Sequence, residues 1–206
     1  MAVNLQAVPG TGLVITPDNS GNMTFSTGLG TGNVITLPIG TGTFAVQGVS
    51  TNIVQSTSQP TTSGSAFLFT GIPSYAKRVT IIFNGVGQTG TVNGLVQIGS
   101  GSIASSGYVS AALSTQSAAS GSASSTSTAG FIIWDAYNSF PFSGQVVLLN
   151  ISGTTWIASG YLVNTGGSRG AMSSGSVTLS GTLDRVNITG VTAPTFNAGA
   201  INVIYE

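Results

Sequence analysis

Histidine and cysteine are both missing from this 206-residue chain, and only 4% of its residues are charged. Each shortage removes a class of chemistry. Without cysteine there is no disulfide framework, thiolate nucleophile or thiolate metal site. Without histidine the commonest general base and nitrogen metal ligand are gone. The acidic set is Asp18, Asp135, Asp184 and Glu206, scattered along the sequence with no calcium-type clustering, so no cofactor or metal is expected. Four basic residues balanced by four acidic ones are too few to neutralise the several phosphates that a nucleic-acid contact engages. No apolar run approaches the ~18–20 residues that span a bilayer, so no membrane insertion is expected. The opening MAVNLQAVPGTG lacks the basic start and apolar stretch of a signal peptide, which predicts synthesis in a cytoplasm without a secretion address.

What is present is apolar and small-polar. Hydrophobic residues make up 41% of the chain, and the rest is mainly Gly, Ser, Thr and Asn. Such a chain has enough apolar surface to fold. Its net charge is zero, whereas soluble small domains usually carry about 2–8 units, which points to a surface covered in an assembly. Three N-x-S/T triplets, at Asn22, Asn150 and Asn187, are what chance gives in a Ser/Thr-rich chain.

The first fifty residues hold a weak repeat of about twenty residues: 11–17 (TGLVITP) recurs as 31–38 (TGNVITLP), and 21–25 (GNMTF) as 40–44 (GTGTF). The units read as strand, Gly/Asn turn, strand. Two of them bury little by themselves, so residues 1–50 are expected to form an arm or short stalk completed by neighbouring chains. Two ordinary hairpins packed on the main domain are the alternative. Residues 51–65 read as a linker or a first-strand boundary. Residues 51–206 then give short β-rich runs at 67–69, 79–83, 95–98, 131–134, 145–150, 155–163, 176–179, 184–189 and 200–205, separated by turn residues. Val79, Ile81 and Phe83 share one face by the two-residue period of a strand; Val186 and Ile188 do the same. No segment keeps a helical period. The expected fold is all-β, a jelly-roll-like antiparallel sandwich. The Ser/Ala-rich stretch 111–129 is expected to be an extended or mobile loop.

Two motif matches fail on context. GGSRG at 166–170 fits the nucleophile elbow, but Ser168 has no histidine to take its proton. GVGQTG at 85–90 fits a dinucleotide fingerprint, yet a strand pattern rather than a helix follows, so it reads as a hairpin turn. The densest aromatic cluster is Trp134, Tyr137, Phe140 and Phe142 in FIIWDAYNSFPF, read as core or subunit interface, with a glycan platform as the sharper alternative. Lys77 and Arg78 carry half of the positive charge at the mouth of a strand. Neighbours on a strand face opposite ways, so they are expected to act as structural ties. One of them should pair with Asp184, Glu206 or the chain-end carboxylate, Arg185 being a further candidate for such a clamp.

Residues 70–86 (TGIPSYAKRVTIIFNGV) resemble a segment of tailed-bacteriophage and prophage virion proteins. The likeness continues through 95–99 (LVQIG), 155–160 (TWIASG) and 179–189 (LSGTLDRVNIT), and ends in 195–206 (TFNAGAINVIYE). It covers roughly residues 50–206 in order; residues 1–50 resemble, more loosely, the β-repeat stalks of phage fibres. The resemblance implies a non-enzymatic, trimeric structural protein on the virion surface. Three functions follow for testing. The first is a capsid-decorating protein held to the major capsid protein, or another virion protein, through residues 1–50. The second is a short tail fibre recognising a host surface glycan. The third is a carbohydrate-active enzyme built on converging carboxylates such as Asp135 and Asp184.

Overall fold

The computed structural model describes residues 24–25, 35–36, 53–116, 122–134, 141–166 and 169–206. The chain divides into two units, Met1–Thr51 and Asn52–Glu206. In the first, β1 (Thr24–Phe25) and β2 (Ile35–Thr36) pair antiparallel, Phe25 opposite Ile35. The rest of the expected arm lies outside the described residues.

The second unit is all-β and antiparallel. Its strands are β3 (Val54–Gln55), β4 (Gln59–Pro60), β5 (Phe67–Thr70), β6 (Arg78–Thr89), β7 (Gly94–Ser100), β8 (Ser102–Ile103) and β9 (Val109–Gln116). They continue with β10 (Ser122–Ser127), β11 (Phe131–Trp134), β12 (Phe142–Ser152), β13 (Thr155–Asn164), β14 (Arg169–Thr178), β15 (Arg185–Gly190) and β16 (Thr195–Tyr205). The larger sheet runs β10-β9-β14-β13-β12-β6-β16, with β3 and β4 both pairing to β16. The smaller runs β11-β7-β15-β5, with β8 on β7. This is jelly-roll connectivity with additions. The chain crosses between sheets from β4 to β5, β5 to β6, β6 to β7, β8 to β9, β10 to β11, β11 to β12, β14 to β15 and β15 to β16. The meander β12-β13-β14 fills the place of one strand between β6 and β9, and β16 extends the sheet beyond β6.

Alternation explains where the core lies. Val79, Ile81 and Phe83 point inward from β6, Val186 and Ile188 from β15, and Val146 and Leu148 from β12, all buried in one cluster between the sheets. All four residues of β11 are buried, because Ile132, on the face away from Phe131 and Ile133, packs with Leu95, Ala112 and Ala129.

Three expectations change. Residues 85–89 are not a hairpin turn but the continuation of β6. That stretch is paired on both flanks, Val86 with Phe142 and Gly87, Gln88 and Thr89 with β16, and two ladders outweigh the low strand propensity of glycine. The Ser/Ala-rich stretch holds the hairpin β9-β10, whose first strand is also paired to β14. Of the two readings of residues 51–65, the linker falls and the first-strand boundary fits over 53–65, which hold β3 and β4: the Ser56 and Thr61 amides donate to the Val203 and Gly199 carbonyls, and Thr61 is fully buried.

Tyr108, just before β9, pins the smaller sheet to this hairpin. Its hydroxyl accepts from the Ile98 amide at 2.8 Å and lies 3.1 Å from both the Ile98 and Ala104 carbonyls. Its ring meets Phe131 edge-on at 4.9 Å. Burial pushes the hydroxyl up to about 12, the Ile98 hydrogen bond opposing the shift only in part. The folded value being the higher, the unfolded chain ionises first, so stability holds below about pH 10 and falls towards pH 12. At ~1.4 kcal/mol per unit, the loss is about 2–3 kcal/mol. Tyr108→Phe should cost about 1–3 kcal/mol at neutral pH, since it orphans a buried amide, and should abolish that alkaline decline. Urea titrations at pH 8 and above pH 11 decide it; equal declines in both proteins would refute the assignment.

Candidate interaction surface

The charged residues form ties at two places. Arg78 Nη1 lies 3.1 Å from Glu206 Oε1, because the Val79–Tyr205 register sets the ends of β6 and β16 side by side. Backbone bonds close the same corner: the Lys77 and Arg78 amides donate to the Glu206 carbonyl, and the Glu206 amide donates to the Arg78 carbonyl. Lys77 turns elsewhere, its ammonium 3.5 Å from Asn150 Oδ1. Arg78 and Glu206 are both substantially exposed, so their attraction contributes only about 0.2–1 kcal/mol, and the backbone ladder does more to fix the register.

Asp184 pairs with its own neighbour. Arg185 donates from Nε at 2.7 Å and from Nη2 at 3.0 Å to the two carboxylate oxygens, while the Gly101 amide donates to the same group. The Arg185 hydrogen bonds hold the Asp184 carboxyl below its usual value, and Asp184 raises Arg185 in return. This carboxylate ties β15 to the turn between β7 and β8 rather than reaching across to Lys77 or Arg78. Asp18 and Asp135 lie outside the described residues, as does Ser168. Arg169 opens β14 and is buried.

Two of the four aromatics of the expected cluster, Trp134 and Phe142, belong to the core. Trp134 is 1% exposed and stacks on Phe142 with ring centres 5.5 Å apart and planes 5° apart; Phe83 meets it edge-on. Its indole N–H donates to the Val92 carbonyl. Neither ring is offered to a sugar, so the glycan-platform alternative fails for Trp134 and Phe142. Tyr137 and Phe140 lie outside the described residues.

Most of the large exposed apolar side chains lie on the outward face of the larger sheet, Ile53, Leu68, Tyr75 and Val191 being elsewhere, and sequence reasoning missed that face. Registers across the strands place Leu113, Met172, Tyr161, Gln145 and Ile82 in one row, in the order β9, β14, β13, β12, β6. A second row runs Val109, Ser176, Ile157, Leu149, Arg78. Val163 and Ile151 extend the face along its strands. Val109 is 74% exposed, Met172 57% and Tyr161 56%, and the Tyr161 hydroxyl stands over Gly170, where a Cβ would meet it at 2.9 Å. Beside the first row an open groove of about 620 Å³ is lined by Val109, Ala111, Thr126, Ser174 and Gly175 among others, with no charged residue. Among the described residues the only charges near this face are Lys77, Arg78 and Glu206, at one end. The signal was available: β12 and β13 are apolar at both alternating sets of positions, which reads as burial on two sides. Within the described residues only one of those sides is covered.

The surface can therefore bury apolar area and accept neutral hydrogen-bonding partners; among the described residues there is no group of histidine, cysteine or carboxylate side chains able to hold a metal. No helix among them is long and apolar enough to cross a membrane. No protein-family model, curated protein or solved structure matches the chain.

Proposed function

We propose that the protein is a non-enzymatic structural component of a tailed-bacteriophage virion: a homotrimer that decorates the capsid and is anchored through residues 1–50. The observation that carries this reading is the outward face of the larger sheet, where exposed apolar side chains of four strands stand among serine, threonine and glutamine with almost no charge, on a domain whose described carboxylates are engaged by arginines. Such a domain is suited to being packed against other proteins rather than to moving protons. The sequence resemblance to phage virion proteins supplies the setting. A short tail fibre recognising a host glycan is the second reading, favoured by the neutral groove with its serine and threonine hydroxyls.

Imaging intact particles with the chain labelled, together with counting its copies by quantitative mass spectrometry, tests the proposal. Many tens of copies spread over the head are expected. A handful of copies at the tail would replace decoration with the fibre reading, and absence from purified particles would end both.

A further inference from the structure

We infer that the outward face of the larger sheet is the surface through which copies of this chain associate, with the row Leu113–Met172–Tyr161 at its centre. The inference rests on the multimeric part of the reading above and names the surface and the partner that part leaves open.

Four observations favour a second copy as the occupant. The face has the make-up of an interface centre, with Leu113, Met172 and Tyr161 side by side in one row and Ile157 beside Leu149 in the other, small serines between the rows, and lysine, glutamate and aspartate absent from both. Its size fits: five strands spaced ~4.8 Å apart, over some eight or nine residues at ~3.3 Å each, give roughly 700 Å². A stable protein contact takes about 800 Å² from each partner. Charge fits as well. The nearby charges are a paired Arg78 and Glu206 and the single Lys77, and the whole chain is neutral, so like copies meet without mutual repulsion. A polyanionic partner would find no basic surface there. Finally, exposed apolar rows of this extent are uncommon on a domain that stands alone in water.

The absence of cysteine makes the test direct, because one introduced thiol is unique in the chain. Full-length protein is examined by sedimentation at micromolar concentration, then as single-cysteine variants Met172→Cys and Leu68→Cys. Leu68 is exposed on the smaller sheet and serves as the open reference. The wild type should sediment as an oligomer. In it a bulky maleimide should label the Met172→Cys thiol at least tenfold more slowly than the Leu68→Cys thiol. Met172→Glu should weaken association about 30-fold or more while leaving the β-sheet circular dichroism and melting temperature in place, as expected for a central contact. Because Met172 is exposed, the substitution leaves the core untouched; Tyr161→Glu gives an independent repeat.

An oligomer in which Met172→Cys labels as fast as Leu68→Cys, or which survives both glutamate substitutions, would move the interface elsewhere while leaving the multimer intact. A wild-type monomer would remove the inference and the trimer together. If its Met172→Cys thiol were protected, the cover would come from the same chain; if it labelled freely, the face would belong to a different protein. Neither result touches where the protein sits on a particle, which the imaging experiment reads separately.

Discussion

Trp134→Ala should lower the unfolding free energy by about 3–5 kcal/mol. For a domain of this size each kcal/mol moves the melting temperature by about 2–4 °C, so a fall on the order of 10 °C is expected. The size of the effect comes from where the ring sits. It stacks on Phe142 of β12, meets Phe83 of β6 at its edge and covers Gly94 of β7, so its loss opens a void bounded by both sheets. Gly94 is the counterpart: a Cβ there would lie 2.2 Å from Trp134 Cε2. Gly94→Ala in the wild type must displace a packed indole. In the Trp134→Ala background the same methyl enters empty space. The two substitutions should therefore be strongly non-additive, the double variant being at least ~1 kcal/mol more stable than the sum of the single losses predicts. Additive losses in a urea double-mutant cycle, or a Trp134→Ala loss under 1 kcal/mol, would show that the ring does not bridge the sheets. Trp134→Phe, which keeps part of the stack, carries the test if the alanine variant does not fold.

The same ring shows how far the sequence could be read. That Trp134 belongs to a buried strand was legible, because FIIW has no polar position and is bounded by glycine and by Asp135. The inward sets of β6 and β15 were legible for the same reason, apolar residues at every second position. Strand order was a different matter. A jelly roll was expected from many short strands and turn signals, but the insertion of β13 and β14 between β12 and β9 is a long-range pairing that no local pattern encodes. The hairpin β9-β10 was missed because serine, alanine and threonine offer little contrast between two faces. The ladder to β14 makes the first of its strands, and Ser110, Ala112 and Ser114 face inward only because small side chains fit there.

The outward face was hidden by the opposite problem. Ile157, Tyr161 and Val163 on β13, and Val147, Leu149 and Ile151 on β12, alternate with truly buried neighbours, so the sequence marks both strands as β-rich runs without saying which face stays uncovered. Hydrophobicity alone cannot separate a residue buried within its own chain from one waiting for a partner; the layer count does. Two layers supply one core, and whatever apolar rows remain outside them need another molecule or another segment. The charged pair was more tractable. Opposite facing of adjacent strand residues predicts that Lys77 and Arg78 part company. They do, Arg78 to Glu206 and Lys77 to Asn150, although Asp184 is held by Arg185 next to it.

Gly199→Ala is expected to be strongly damaging to the larger sheet, at roughly 2–5 kcal/mol. Gly199 holds φ at +87°, a conformation that costs an L-residue about 1–2 kcal/mol. Its missing side chain also faces backbone: a Cβ would lie 2.2 Å from the Gly85 carbonyl oxygen and 2.5 Å from that of Asn84. Neither oxygen can swing aside as a side chain would, so β16 must move off β6, adding about 1–3 kcal/mol of overpacking. Gly107 separates the two terms. It too has positive φ, +85°, but nothing lies within 4 Å of its would-be Cβ, so Gly107→Ala should show the conformational cost alone. The difference between the two urea midpoints measures the clash, and equal midpoints would mean that β16 yields freely there. The consequence reaches the far end of the strand. Register shifts on either side of Ala198 set how far β16 slides along β6, and hence whether Tyr205 meets Val79 and Glu206 meets Arg78. A strand pushed out of register at Gly199 should therefore lose the Arg78–Glu206 contact as well, so Glu206→Ala should cost less in the Gly199→Ala background than in the wild type.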